Sequence, residues 1–113
     1  MKNNVIHLHP SDCNITLQEE YLCLGGRLDF FNIEQVTQIC TNLVAAVSAI
    51  KVDLSKVTHS DSSALAMMIA LMRNSKNNNQ TIEFVNAPKF IVDLGRVCGL
   101  DSILPLTYDA NRN

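Results

Sequence analysis

The chain alternates between two hydrophobic periods, one typical of strands and the other typical of helices. Short apolar runs, several of them alternating with polar residues, predict four strands at 15–17, 21–24, 50–54 and 81–85. Because the polar tripeptide QEE separates the first two runs, we expect them to form a hairpin at the start of the fold.

Three further segments place their apolar residues at helical spacing. They predict a first helix at 33–47, a second at 62–76 and a third that opens at Pro88. Asn32 is a favoured N-cap residue, and Gln35 follows three positions later, so the pair predicts a capping box for the first helix. Pro88 suits a first helical turn because its missing N–H would be unpaired there in any case.

The second helix is apolar without interruption over residues 64–72 (ALAMMIALM). A surface helix would show a polar residue at every third or fourth position. The run therefore predicts a helix that is buried on most sides. An interpretation that stays open beside it leaves one flank, rich in Ala and Met, for another protein, since flexible Met side chains are common at docking surfaces.

The predicted element order is β-β-α-β-α-β-α. Strands joined through helices pair in parallel, whereas the hairpin adds an antiparallel pair. The sequence thus predicts an α/β fold with a mixed sheet of four to five strands, an N-terminal hairpin and three or more helices. One domain is expected at 15–106, between a flexible N-terminal segment at 1–14 and a C-terminal tail at 107–113.

Composition narrows the class of protein. A net charge of −2 without a Lys/Arg cluster argues against nucleic-acid binding. The apolar run at 64–72 is far shorter than the ~20 residues that span a bilayer. The N-terminus MKNNVIHLHPSD lacks a secretory pattern, so a cytoplasmic protein is expected, with any membrane role supplied by a partner.

Candidate metal, cofactor and disulfide sites are weak. The four cysteines, at 13, 23, 40 and 98, form no CxxC pair and are predicted to be buried free thiols. His7 and His9 lie in the flexible segment without further ligands. Neither GxxxxGK[ST] nor GxGxxG occurs, so no phosphate-binding loop or cofactor is expected.

The stretch HSDSS, before the apolar run, contains the residue types of a hydrolase triad. His59, Asp61, Ser62 and Ser63 are too close in sequence for the usual triad geometry, and GxSxG is absent, so an enzyme is not expected. Asp and Ser at a helix start can instead accept hydrogen bonds from free backbone N–H groups. A phosphorylated serine there would add up to about two negative charges that a partner could recognise.

The segment DLSKVTHSDSSALAMMIAL resembles the signature of STAS domains, the fold of anti-sigma factor antagonists. In that family a strand ending in D-L-S leads into D-S-S-G at the start of a helix, and here the second motif is Asp61-Ser62-Ser63-Ala64. LGGRLDFFNIEQV is similar to the G-x-L-D element that precedes the first helix of the family. The resemblance covers about 15–106 and implies a STAS fold.

Two subfamilies are compatible with these motifs. Anti-sigma factor antagonists are regulated by an anti-sigma kinase that phosphorylates a serine, which the resemblance aligns with Ser62. The B subunit of the Mla complex binds the ABC ATPase of a phospholipid transporter that maintains outer-membrane lipid asymmetry. Ala64-Leu65-Ala66, Met67-Met68 and the ending GLDSILPL are more similar to Mla B subunits. We therefore expect an Mla-type accessory subunit, with the antagonist as the alternative.

The resemblance implies a non-enzymatic surface made by the loop at 58–63 and the start of the second helix. Ser62 would offer its hydroxyl, Asp61 would hold the loop, and Leu65 and Met68 would supply apolar contact. The partner would be the ATPase subunit or the kinase, at the inner face of the membrane in the first case, without direct membrane insertion or a cofactor. The predicted partner-binding residues are Thr58, His59, Asp61, Ser62, Ser63, Leu65 and Met68.

Overall fold

The computed structural model describes residues 5–100 and the backbone of a last strand at 106–108. Within these residues the strands are β1 (Val5–Leu8), β2 (Cys13–Gln18), β3 (Tyr21–Leu28), β4 (Ala49–Ser60), β5 (Thr81–Ala87) and β6 (Leu106–Tyr108). The helices are α1 (Ile33–Leu43), α2 (Ser63–Asn77) and α3 (Lys89–Val97), and a 3-10 turn at Val44–Ala46 follows α1. None of the helices in the described residues is long and apolar enough to cross a membrane.

All six strands form one sheet whose spatial order follows the chain order. The pairs β1–β2 and β2–β3 are antiparallel, whereas β3–β4, β4–β5 and β5–β6 are parallel. The three helical crossovers advance in one direction, so right-handed connections put α1, α2 and α3 on the same face. Strand burial agrees, since apolar residues of β2 and β4 alternate with polar ones that remain accessible on the opposite face.

The core lies between this sheet face and the helices. The helix α2 contacts α1 on one side and α3 on the other, which explains its uninterrupted apolar run. Its buried residues are Ala64, Leu65, Met67, Met68, Leu71 and Ser75, and two alanines remain exposed, at Ala66 and Ala70. The largest fully buried side chains of the sheet are Ile15, Leu22, Leu24, Leu28, Ile50, Leu54 and Phe84.

The predicted fold class is confirmed: the sheet is mixed, it begins with a hairpin, and three α-helices cover it. The sheet is wider than expected because β1 and β6 add to the four strands that the pattern indicated. Within the segment 1–14 that was expected to be flexible, residues 5–8 pair with β2 as its antiparallel neighbour, and β2 itself begins at Cys13. All four side chains of β1 are exposed, so its sequence carries no burial alternation that could reveal a strand. The expected tail at 107–113 begins inside β6, and its residues 109–113 lie outside the described residues.

The cysteines are free thiols, two of them buried, one half-buried and one exposed. Burial raises the pKa of Cys13 to about 11 and that of Cys40 to about 12. Cys23 is half-buried, and desolvation followed by the charge of Asp53 raises its pKa as well. Cys98 is exposed at the end of α3, so the prediction that all four are buried is wrong at this position.

Candidate functional site

The strand β4 leads into α2 through a very short turn formed by Asp61 and Ser62, which we call the Ser62 turn. Because β4 continues to Ser60, where it pairs with Leu28 of β3, Thr58 and His59 lie at a strand end and not on a loop as predicted. The pairing of β3 with β4 contains two register shifts, one between Cys23 and Gly25 and one between Gly26 and Arg27. The turn is therefore held by a strand on one side and a helix on the other.

Asp61 provides the side-chain cap of α2. Its Oδ1 accepts a hydrogen bond from the backbone N–H of Ser63 at 2.9 Å, and its carbonyl oxygen accepts one from Ala64 at 3.1 Å. Ser62 has helical backbone angles, and its side chain makes no cap hydrogen bond. The hydroxyl of Ser62 is consequently exposed and is not used to start the helix.

Asp61 also joins this turn to the segment before α1. Its Oδ2 accepts a hydrogen bond from the backbone N–H of Phe30 at 3.0 Å. The small desolvation of the carboxylate raises its pKa, but the hydrogen bonds from Phe30 and Ser63 outweigh this and lower the pKa below its ordinary value. Asp61 is thus held in the charged form that both N–H groups favour.

We call residues 29–32 the aromatic turn. Its two polar residues, Asp29 and Asn32, are buried, whereas its two aromatic residues are exposed. The Asp29 carboxylate accepts two hydrogen bonds from the Arg27 guanidinium at 2.7 and 2.9 Å and one from the Phe31 N–H at 3.0 Å. The usual distribution of polar and apolar side chains is therefore inverted at this turn.

Asn32 anchors the aromatic turn to the end of β3 and to the turn between β1 and β2. Its Oδ1 accepts a hydrogen bond from the Asp29 N–H at 3.0 Å, and its Nδ2 donates to the carbonyl oxygens of Ser11 and Arg27 at 2.8 and 2.9 Å. The predicted capping box with Gln35 is wrong, because this side chain makes no cap hydrogen bond to α1. The Asn32 amide instead bonds the Asp29 N–H and two carbonyl oxygens, so it fixes the turn and does not cap the helix.

Phe30 and Phe31 are 76% and 86% exposed, and their rings meet edge to face with centroids 5.9 Å apart. Neither residue was among the predicted partner-binding residues. The sequence contained a signal for them, because two adjacent aromatic residues fit neither the alternation of the preceding strand nor the helical spacing of α1. The hydrogen bond from Phe30 to Asp61 places this pair beside the Ser62 turn.

The structure brings most of the predicted partner-binding residues together. Thr58, His59, Asp61 and Ser62 are exposed, and Ser63 is half-buried. The predicted contact role of Leu65 and Met68 is wrong: they are 3% and 0% exposed and belong to the core.

A continuous apolar run does not reveal which side of a helix faces outward. The packing of α2 between α1 and α3 turns both Leu65 and Met68 inward and leaves Ala66 and Ala70 at the surface.

The residue types of a hydrolase are present here without the hydrogen-bond relay that a triad needs. His59 Nδ1 shares a hydrogen bond of 3.0 Å with Thr58 Oγ1, and the carboxylate of Asp61 accepts from backbone N–H groups. A triad would require the imidazole to bond the serine on one side and the carboxylate on the other. These side chains therefore do not form a Ser-His-Asp triad in this structure.

Comparison of the fold with solved structures finds anti-sigma factor antagonists. One from Planctomyces limnophilus superposes with a TM-score of 0.69 at 15% identity, over 89% of this chain and 93% of that one. One from Mycobacterium paratuberculosis has a TM-score of 0.68 at 18% identity, over 97% and 89%. The phosphorylated form of the Bacillus cell fate determinant SpoIIAA has a TM-score of 0.60 at 16% identity, over 88% and 94%. At these identities the likeness shows a shared fold.

The sequence itself gives a more specific result. Comparison with curated proteins finds no match. The family model described as "Mlab, STAS domain" matches residues 11–106, which contain both the aromatic turn and the Ser62 turn. The chain therefore belongs to the family of MlaB-type STAS domains.

Proposed function

We propose that this protein is a non-enzymatic subunit that binds the ABC ATPase of a phospholipid transporter at the inner face of the membrane. The Ser62 turn is the contact. The single observation that carries the proposal is the position of the Ser62 hydroxyl, which is exposed at the amino end of α2 while Asp61 supplies the cap. A hydroxyl without a structural duty at the tip of a buried helix is available to a partner.

The surface of α2 supports this choice of contact. Ser62, Ala66 and Ala70 are spaced by four residues and are all exposed, so they lie on one side of the helix. Small side chains allow a partner's backbone to approach closely. An ATPase segment could therefore lie along Ala66 and Ala70 of α2 and contact the Ser62 hydroxyl at the end of the helix. Leu65 and Met68 are buried and cannot contribute to this contact.

The composition of the exposed side of α2 also agrees with a permanent complex between this protein and the ATPase. The described part of α2 carries no charged residue before Arg73, so a partner that covers it need not desolvate a charge. The family model points to the same subunit class. The transporter, and not this chain, would provide the attachment to the membrane.

A second candidate is an anti-sigma factor antagonist controlled by phosphorylation of Ser62. The likeness to SpoIIAA in its phosphorylated form and the accessibility of Ser62 favour it. A phosphate at this position would lie beside the carboxylate of Asp61, which would repel it, and beside the amino end of α2, which would attract it. A kinase could therefore change the charge of the turn without changing the core.

A bulky substitution tests the proposal. Ser62→Trp fills the contact without removing any hydrogen bond, and Ser48→Trp, at an exposed serine before β4, is the matched control. The affinity of the purified ATPase subunit of the host's phospholipid transporter should fall about tenfold or more in Ser62→Trp, or ~1.4 kcal/mol. Equal affinity in the two variants would contradict the proposed contact.

The antagonist alternative has its own readout. Incubation with the host's anti-sigma kinase and ATP should add one phosphoryl group, about 80 Da, to the antagonist and none to Ser62→Ala. Absence of this mass change together with tight ATPase binding would support the transporter role. A complex with the kinase and none with the ATPase would favour the alternative.

A further inference from the structure

The aromatic turn exposes two large apolar side chains to solvent. Phe30 and Phe31 are 76% and 86% exposed, although each lies next to a buried polar residue. Large exposed apolar side chains that sit together mark interaction sites, and aromatic residues concentrate at the centre of protein interfaces. This pair is therefore a candidate for the main apolar contact of the docking surface.

Both rings are displayed on a fixed backbone. The N–H of Phe30 donates to Asp61 Oδ2 and the N–H of Phe31 donates to Asp29 Oδ1, each at 3.0 Å. Asn32 ties the same turn to Ser11 and Arg27. A partner that binds the rings does not have to order this backbone, which lowers the entropic cost of association.

The charges around the rings restrict the kind of partner. Asp61 lies beside Phe30, and Glu34 follows Phe31 by three residues in the first turn of α1. Neither forms an ion pair within the described residues, whereas the nearby Arg27 is paired with Asp29 at 2.7 Å. An exposed aromatic pair with unpaired carboxylates on the adjoining Ser62 turn and on the first turn of α1 complements an apolar cleft with Lys or Arg at its rim. Anionic lipid headgroups would be repelled by the same carboxylates, so the occupant is a protein.

We propose that Phe30 and Phe31 anchor this protein in an apolar cleft of its partner and that basic side chains at the rim of the cleft contact Asp61 and Glu34. This inference rests on the proposed function and specifies the chemistry of the ATPase surface. Asp61 also holds the anchor next to Ser62, since its carboxylate accepts the N–H groups of both Phe30 and Ser63.

The test compares matched variants in binding to the purified ATPase subunit. The double variant Phe30→Ser/Phe31→Ser removes the anchor, and Phe90→Ser removes a partly exposed ring of α3 as the control. The affinity should fall about tenfold or more in the double variant and less than about twofold in the control. Glu34→Lys should weaken binding severalfold at low salt, and the effect should shrink as salt screens the charges.

Two further measurements keep the outcomes separate. Circular dichroism should show that the double variant remains folded, since it loses exposed rings only. A photoreactive phenylalanine analogue at position 31, introduced in the native host, should cross-link to an ATPase peptide that lines an apolar cleft with Lys or Arg at its rim.

Each outcome decides one proposal or both. If the ATPase binds the wild type and the double variant equally, the anchor is overturned and the proposed function stands. If the ATPase does not bind, but position 31 cross-links to a basic-rimmed apolar cleft of another protein whose binding the double variant loses, the proposed function fails and the anchor stands. If neither binding nor a cross-link occurs, both fail.

Discussion

The carboxylate of Asp61 accepts the backbone N–H of Phe30 at 3.0 Å, across 31 positions of the chain. A second oxygen of the same carboxylate caps α2 through Ser63 at 2.9 Å. One side chain thus fixes the relative position of the two turns that form the candidate site. The first prediction concerns this side chain.

Asp61→Asn should reduce stability near neutral pH and should have no effect in strong acid. The pKa of Asp61 is lower in the folded state, so the stabilisation is complete above the unfolded pKa, about 3.9, and is lost as the pH falls through the folded value. Urea unfolding of both proteins between pH 2 and 7 measures the difference. Glu34→Gln, at an exposed carboxylate, is the control, and a stability difference that grows towards low pH would contradict the assignment.

Asn32→Ala should be strongly destabilising. It leaves the Asp29 N–H and the carbonyl oxygens of Ser11 and Arg27 without their partner, at a cost of about 2–4 kcal/mol. Asn42→Ala, at an exposed position of α1, should cost less than about 0.5 kcal/mol. Chemical denaturation compares the two, and similar midpoints would show that the buried network contributes little.

Gly26→Ala should destabilise the protein more than Gly99→Ala. Both glycines have positive φ, at 85° and 74°, so both variants strain the backbone by about 1–2 kcal/mol. At Gly26 the added Cβ would also lie 2.6 Å from the carbonyl oxygen of Asp12, which must then move, whereas nothing lies within 4 Å at Gly99. Thermal unfolding of both variants provides the comparison, and an equal loss would mean that the clash relaxes freely.

Thiol labelling at pH 8 should modify Cys98 quickly and the other cysteines slowly. Cys98 is exposed, whereas burial raises the pKa of Cys13 and Cys40 to about 11 and 12, so few of those thiols are ionised. A coloured disulfide reagent should show one fast equivalent in the folded protein and four after denaturation. Cys98→Ser should lose the fast phase, and a fast phase that persists there would contradict the burial of the remaining thiols.

The periodicity of the sequence was sufficient to predict the hairpin, the parallel crossovers and the three helices, because burial on one face imposes a period on each element. It failed for β1, where no side chain is fully buried and no burial alternation reveals the strand. It also failed for Leu65 and Met68, since a run such as ALAMMIALM contains no polar residue that would orient the helix.

The candidate site was predicted in part. The turn at Asp61 and Ser62 was identified from residue types, but three neighbouring polar side chains could each have capped α2, and only coordinates distinguish Asp61 from the serines. The adjacent aromatic residues Phe30 and Phe31 are visible in the sequence, but the link between Phe30 and Asp61 was not foreseeable. It depends on a hydrogen bond between segments far apart in sequence, and no local pattern encodes such a contact.

The strand order that follows the chain has a consequence for tolerance to mutation. Because every helix of the described residues lies on the same side, neighbouring residues of one strand have different constraints. Ile15 and Leu17 are constrained by core volume, whereas Thr16 between them is constrained by β-propensity and by its exposed hydrogen bond to His7 at 3.1 Å. In a saturation library of β2, tolerated and non-tolerated positions should therefore alternate along the strand. The sheet face opposite the helices could then change its sequence during evolution while the helix-covered face keeps its core residues.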